Sequence, residues 1–313
     1  MEDHLTATIT ELRTIGLEGE VRTDRSSRLM YATDASIYRE EPLAIVYPLH
    51  QQDIKRLLAF ASKHSVGIIP RAAGTSLAGQ VVGSGIVADL SRHFGKILEI
   101  NTQERWVRIE PGVVPDELNA ILRSHGLLFG PETSTSSRCN LGGMIGNNGC
   151  GLHSVVYGSV RDHIIEVNAL LHDGSEVVFG ELTAEQFREK CTLQTTEGDI
   201  YREVERIMSD PGHRASIMSN YPDRTIPRRN TGYSLDDLLY SEPFTAGAGR
   251  KVNLARLICG SEGTLAVVTE AKLGLVPLPP PVKALVCVHM GKRHEAFRAN
   301  LIPLKYKPWS VEL

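Results

Sequence analysis

The chain predicts a mixed fold of helices with both parallel and antiparallel strands, on three observations. Residues 43–70 spell a strand, a helix and a second strand in close succession, the pattern of a βαβ unit with a right-handed crossover. Two apolar runs, Ile164–Leu171 and Glu176–Phe179, flank His172-Asp173-Gly174-Ser175, and Asp-Gly between strands is a strong hairpin signal. Between them lies PETSTSSRCNLGGMIGNNGCGLHSVVYG, residues 131–158, with glycines at 142, 143, 146, 149 and 151 beside Asn147 and Asn148. Glycine permits close backbone approach and positive φ, and asparagine tolerates the left-handed region. Leu141, Met144, Ile145 and Leu152 are interleaved with the glycines, so the stretch reads as a buried wall across which a long polar ligand can lie.

Taken in order, residues 2–15 place Leu5, Thr8, Ile9 and Leu12 on one helical face, with Gly16 as the stop. Leu43–Tyr47 is a short apolar strand ended by Pro48. Ile54, Leu57, Leu58 and Ala61 recur at helical spacing from Gln51 to His64, and Val66–Pro70 is the next strand. Gly85–Leu90, Ile97–Ile100 and Trp106–Glu110 read as three further strands. Pro115 opens a helix with Asp116 and Glu117 in its first turn, Leu118, Ile121 and Leu122 as its buried stripe and Gly126 as its end. Thr183 with Gln186 reads as a capping box, and Asp199 as the cap of a helix carrying Ile200, Val204, Ile207 and Met208. Residues 210–250 are polar and irregular. Arg256–Pro279 reads as strand, tight turn at Gly260–Gly263 and strand, closed by a proline cluster that marks a boundary. Ala284–His289 is expected as a strand and Glu295–Leu304 as a helix.

At 313 residues, 42% hydrophobic and 23% charged with a net charge of −3, the chain can hold two or three folding units with a sizeable core. The balance asks for neither nucleic acid nor an acidic membrane surface. No apolar run reaches the roughly 20 residues that span a bilayer, and Met1-Glu2-Asp3-His4 lacks a basic leader start. A cytoplasmic location is the expectation, with peripheral membrane contact left open. Cysteines 139, 150, 191, 259 and 287 include no CxxC pair, so no metal site is expected in this chain.

The loop after the second strand, PRAAGTSLAGQ, lies where open α/β sheets bind ligands. Its Gly74-to-Gly79 spacing invites a phosphate-loop reading, but Gln80 and Val81 stand where that motif needs Lys and Ser or Thr. Taken alone, the loop reads equally as a concave anion nest of N–H groups with Thr75 and Ser76, or as a hydroxyl-rich turn that binds nothing. His153 and Tyr157, taken alone, read as packed core residues.

Four segments in order, PRAAGTSLAG, PETSTSS with NLGGMIGNNGCGLHSVVYGSVRDHI, RRNTGYSLDDL and CGSEGTLAVVTEAKLGLVPLP, resemble the FAD-linked oxidases of the vanillyl-alcohol oxidase superfamily, within it the D-lactate, glycolate and D-2-hydroxyglutarate dehydrogenases. YATDASIY, residues 31–38, resembles that group's entry into the domain. The resemblance implies an α+β fold: a PCMH-type FAD-binding domain of two subdomains over residues 43–280, divided near residue 103, after an N-terminal helical segment 1–42. It implies that Arg71, Gly74, Thr75, Ser76, Leu77 and Gly79 wrap the pyrophosphate. Pro131, Glu132, Thr133, Gly142, Gly143, Asn147, Asn148 and Gly151 would line the flavin and its ribityl chain, and Glu262, Gly263 and Val268 would add contacts from the last strand pair.

Relatives with covalently attached flavin carry a histidine in the first loop. Residues 71–80 have none, so FAD bound without a covalent link is expected. No GxGxxG occurs, which argues against a Rossmann site. Residues 281–313 match only the start of the family's cap, whose later part binds the hydroxy acid and takes its proton, so the chain reads as part of a longer flavoprotein. The expected reaction is oxidation of a D-2-hydroxy acid, with the catalytic residues and the electron acceptor unassigned. A non-catalytic FAD-binding module completed by a partner chain is the alternative, and an enolpyruvyl-sugar reductase using NADPH a third.

Overall fold

The computed structural model describes residues 2–226, 228–230 and 232–312, apart from the side chains of residues 2–6, so the Leu5 position of the first helical stripe lies outside it. Strands β1 (Glu20–Arg22), β2 (Ala44–Tyr47), β3 (Ile68–Arg71) and β4 (Ile86–Asp89) form a sheet in the order β1-β2-β4-β3. β4 runs parallel to both β2 and β3, and β1 is antiparallel to β2. The expected βαβ unit is present, with β4 inserted between its two strands.

Strands β5 (Ile97–Asn101) and β6 (Trp106–Ile109) start the second sheet, and β7 (Leu127–Leu128) follows. β8 (Ile164–Leu170), β9 (Glu176–Phe179), β10 (Glu181–Leu182), β11 (Val252–Asn253), β12 (Val267–Gly274) and β13 (Val276–Pro277) complete the strands among the described residues. The second sheet is antiparallel in the order β5-β6-β12-β8-β9, and β10 with β11 and β7 with β13 form short pairs. Residue 103 lies in the β5–β6 connection, and the chain passes from one sheet to the other between Asp89 and Ile97.

Helices α1 (Glu2–Leu12), α2 (Arg25–Tyr31) and α3 (Gln51–His64) belong to the first half of the chain. α3 has the predicted limits. His50 caps its first turn, and Ser65, at φ 53, closes it in the left-handed region. It is buried on two sides. Leu57 and Phe60 pack with Ala44, Val46, Ile86 and Leu12, whereas Ile54 and Leu58 pack with Leu90, Phe94, Leu170 and Val267 of the second sheet. α3 is therefore the shared wall of both halves.

α4 (Pro115–Arg123) has the proline start and the buried Leu118 and Leu122 expected of it, whereas Ile121 of the predicted stripe is 46% exposed. α5 (Leu141–Asn147), α6 (Ser154–Tyr157) and α7 (Val160–His163) lie within the glycine-rich stretch. α8 (Ala184–Cys191) carries the predicted capping box of Thr183 and Gln186. The helix expected from Asp199 starts earlier: α9 (Thr196–Ser209) is capped by Thr195, and Asp199 sits in its first turn. The polar stretch after it contains α10 (Pro211–Asn220), capped by Asp210 with proline at its first position, and α11 (Leu235–Leu239). Where a strand was expected after Arg256 there is a short helix, α12 (Ala255–Ile258), whose Ala255 and Ile258 are buried in the main core rather than in a sheet. Residues 284–289 are in no strand, while α13 (Arg293–Ala299) and a 3₁₀ turn (Pro303–Tyr306) follow.

One buried carboxylate fixes the entry of the chain. Asp53, fully buried in the first turn of α3, accepts from the backbone N–H groups of Glu18 (3.0 Å), Gly19 (2.9 Å) and Leu49 (2.9 Å). Burial by itself would raise the Asp53 pKa, but the three donors outweigh it and hold it below the usual aspartate value. A group held below its unfolded pKa contributes stability that is complete above roughly pH 4 and is lost as pH falls through the folded value. Asp53→Asn should cost about 2–3 kcal/mol at neutral pH. In urea titrations at a series of pH values it should also flatten the fall in midpoint between neutral and acid, and an unchanged acid limb would refute the assignment.

Candidate functional site

A cavity of about 670 Å³ opens where three pieces of chain converge, within the roughly 300–1,000 Å³ range of sites that hold cofactors and small ligands. The first wall is the loop leaving β3, residues 70–78 with Gln80 and Val81. The second is the stretch from Thr133 to Cys150, backed by Pro111. The third is Ile258, Ser261, Glu262, Gly263, Ala266 and Val268.

α5 lies this close to Pro111 and Ala72 only because it presents glycines at 142 and 143. A Cβ on Gly142 would fall 2.4 Å from the Pro111 ring and 2.9 Å from its carbonyl oxygen, one on Gly143 would fall 3.2 Å from Ala72, and one on Gly146 would fall 3.6 Å from Glu262. The helix reads poorly from sequence because three of its seven positions are glycine, at roughly 1 kcal/mol each against alanine. Its register is fixed by packing: Leu141, Met144 and Ile145 are buried in the main core. Asn148 ends it at φ 50.

Of the residues singled out in the sequence, the cavity brings together Arg71, Gly74, Thr75, Ser76, Leu77, Thr133, Gly142, Gly143, Asn147, Glu262, Gly263 and Val268. Gly79, Pro131, Glu132, Asn148 and Gly151 are not on its lining. Gly79 instead takes φ 79 against the Tyr38 ring, and Gly151 packs on Glu132. Glu132 is paired with His153 at 2.6 Å from Nδ1, and Asn148 is buried behind the wall. Arg71 lines the cavity yet spends its guanidinium on the chain itself. It donates to the carbonyls of Thr33 (2.9 Å) and Tyr31 (3.2 Å) and lies 5.0 Å over the Tyr31 ring. Burial lowers its pKa, with Tyr31, Asp89 and Asp34 pulling the other way.

The lining also includes residues that were not singled out as site residues, among them members of the quoted glycine-rich stretch. Asn140 is 5% exposed; its amide donates to the Gly112 carbonyl at 2.7 Å, and its Oδ1 is buried without a partner. Such an orphan acceptor costs free energy unless a ligand N–H or O–H reaches it. Cys139 and Cys150 are also on the lining. Across the walls, the Gln80 amide donates to Asn147 Oδ1 and Glu262 Oε1, both at 3.3 Å. The hydroxyls of Thr75 and Ser76 and a glycine-lined floor fit an extended polar dinucleotide. Among the described residues, no group of three His, Cys, Asp or Glu is placed to hold a metal ion.

Arg161, part of the motif YGSVRD but not singled out as a site residue, is what holds the second wall to the third. Its guanidinium donates to the carbonyls of Cys259 (2.6 Å), Arg256 (3.1 Å) and Gly232 (3.1 Å), and its backbone N–H to Asn148 Oδ1 (2.9 Å). Gly260, at φ 102, leaves room for it: a Cβ there would fall 2.5 Å from the guanidinium. The balancing charge comes from Asp237, 4% exposed, paired with Arg250 (2.7 Å) and Arg256. Burial would raise the Asp237 pKa, but the two arginines hold it below the usual range. Beside them, burial pushes the Cys259 thiol up to about 12. Arg161→Gln should leave several buried carbonyls unpaired and cost at least about 2 kcal/mol. In the parent protein Cys287 should alkylate at pH 8 while Cys259 stays inert, and the variant should make Cys259 reactive in peptide mass spectra.

Residues 42–180 match the family model described as FAD binding domain. The chain is 37% identical over 307 residues to D-2-hydroxyglutarate dehydrogenase of Pseudomonas putida and 38% identical over 305 residues to that of Escherichia coli, each alignment covering 96% of this chain and 29% of the relative. It is 29% identical over 266 residues to glycolate oxidase subunit GlcD of Bacillus subtilis, covering 84% of this chain and 43% of that one. The chain thus spans less than a third of the length of the two dehydrogenases. Among solved structures, alkyldihydroxyacetonephosphate synthase superposes with a TM-score of 0.57 at 19% identity, covering 87% of this chain and 41% of that one, which establishes a shared fold. The matched segment, which is similar to the FAD binding domain family, supplies the first wall and the glycine-rich second wall of the cavity.

Proposed function

We propose that this chain is the FAD-binding portion of an oxidoreductase that oxidises a D-2-hydroxy acid of the lactate, glycolate or 2-hydroxyglutarate type. The observation that carries the reading is the three-walled glycine cavity, lying in a chain similar along nearly all its length to D-2-hydroxyglutarate dehydrogenases. FAD, when bound, supplies the acceptor for the hydride leaving the hydroxyl-bearing carbon. The chain's own residues bind and orient. Gly142, Gly143 and Gly146 let the backbone approach closely, and Thr75 and Ser76 offer hydroxyls to the phosphates. Gln80 closes the cleft between Asn147 and Glu262. The carboxylate of Glu262 suits ribityl or ribose hydroxyls rather than phosphate. Gly79, Pro131, Glu132, Asn148 and Gly151 support the lining from behind.

In this reading residues 43–280 are the cofactor domain, 1–42 an N-terminal helical segment and 281–313 the start of a substrate cap. A cofactor module completed by a partner chain is the second reading. It is favoured by the exposure of Val282 (87%), Leu285 (89%) and Val286 (80%), apolar side chains that an added strand would cover.

After incubation with FAD and desalting, the protein should keep flavin absorption bands, and acid precipitation should leave the colour in the supernatant because the cofactor is held without a covalent link. Anaerobic bleaching by a D-2-hydroxy acid, and not by its L form, supports the oxidoreductase reading. A flavin that stays oxidised with every acid until a second polypeptide is added supports the partner reading. A protein that stays colourless overturns both. Separately, bound FAD should slow alkylation of Cys150 at least about tenfold while leaving Cys287 unchanged, since a ligand filling a site at 100 times its Kd protects a lining group by a comparable factor.

A further inference from the structure

Arg71 is a buried cation to which the cofactor chemistry above gives no task. It ends β3 on the cavity lining and is 8% exposed. Its Nη1 donates to the carbonyls of Tyr31 (3.2 Å) and Val81 (3.5 Å) and its Nη2 to that of Thr33 (2.9 Å), with the guanidinium 5.0 Å over the Tyr31 ring. Tyr31 is fixed in turn. Its hydroxyl donates to Asp89 Oδ2 at 2.5 Å, and Asp89, buried at the end of β4, also accepts from the Ser91 N–H (2.8 Å) and hydroxyl (2.6 Å). Burial first, and then the bond to Asp89, raise the Tyr31 pKa, so the phenol keeps the proton it donates. We infer that Arg71 is a positioning residue rather than a phosphate ligand: it clamps residues 31–38 to the loop 72–80, and that N-terminal segment is thereby a working part of the cofactor site.

The segment meets the loop near both of its ends. At the start, the Ala35 N–H donates to the Gly74 carbonyl (3.1 Å), and Gly74, at φ 65, lies against the guanidinium, where a Cβ would fall 2.5 Å from Nη2. At the end, a Cβ on Gly79 would fall 2.7 Å from the Tyr38 ring. Ala35 is itself on the cavity lining, although residues 31–38 precede the segment matched to the FAD binding domain. A loop held at both ends keeps Thr75, Ser76 and the N–H groups between them in one arrangement before a ligand arrives, so less ordering is left to be done on binding. A guanidinium suits the task because its planar fork serves several carbonyls at once, which a lysine ammonium on its flexible stem does not. The identity of the ligand as a dinucleotide rests on the cofactor reading above, whereas the clamp is a property of the chain alone.

Amide hydrogen exchange of the protein without cofactor, read by mass spectrometry, tests the clamp directly. In Arg71→Gln, peptides covering 31–38 and 72–80 should exchange at least about tenfold faster while α9 is unchanged, and FAD and ADP should both bind about tenfold more weakly. Arg71→Lys should match Arg71→Gln, since it keeps the charge and loses the fork. Exchange that stays at the parent rate in both peptides, or a lysine that restores the parent affinity, makes Arg71 a direct phosphate contact and overturns the inference. If both Arg71 variants fail to fold, Tyr31→Leu decides, because Tyr31 is not on the cavity lining. Faster exchange at 72–80 together with weaker FAD binding then supports the clamp, and parent behaviour in either overturns it. A protein that takes up neither FAD nor ADP sinks the cofactor reading and leaves the exchange rates to decide the clamp.

Discussion

Everything at the cofactor cavity depends on how closely one short helix can lie against three other pieces of chain. α5 meets Pro111 at Gly142, Ala72 at Gly143 and Glu262 at Gly146, so a methyl group at the first position would already push the helix off its bed. Glycine in a helix costs backbone entropy, and α5 is too short to persist alone. What keeps it helical is the burial of Leu141, Met144 and Ile145 on its other face. The floor is thus made by packing strength on one side and by the absence of side chains on the other.

The charges behind the wall serve the same purpose. Arg161 donates to the carbonyls of Arg229, Gly232, Arg256 and Cys259 and so gives these backbone groups partners within the protein. Asp237, Arg250 and Arg256 complete the neutralisation inside the protein, and removing one member leaves the others as uncompensated buried charge.

Much of this was legible in the sequence, and for physical reasons. α3 announces itself through an apolar repeat on one face and polar ends, and α8 through a capping box that satisfies its own first turn. The hairpin at Asp173-Gly174 depends on local turn geometry. The elements that were not legible are those whose conformation is set from outside. α5 has poor helix propensity, α10 has a weak apolar stripe, and α12 looks like strand from its Leu257 and Ile258 but is bent into the core by its neighbours. Asp199 resembled a cap because the true cap, Thr195, lies before a glycine. Residues 284–289 have strand composition, but no strand among the described residues pairs with them. At the cavity, the glycine and hydroxyl motifs were visible, whereas the roles of Arg161 and Asn140 depend on carbonyls and voids that have no signature in the chain.

The order of the second sheet has its own consequence. β12, at residues 267–274, sits between β6 and β8, and without it those two strands share no ladder. A chain emerging from the ribosome therefore carries β5–β6, complete at Ile109, and β8–β9, complete at Phe179, as separate hairpins, each with an open edge, until β12 begins at Val267. Only when the last of the three walls has been made can they join. Until then the Ile54 and Leu58 face of α3, which later packs on Leu170 and Val267, has only part of its partner surface. The first half of the protein must wait for the second, and during that interval the open edges are where a growing chain is most prone to pair with the wrong neighbour.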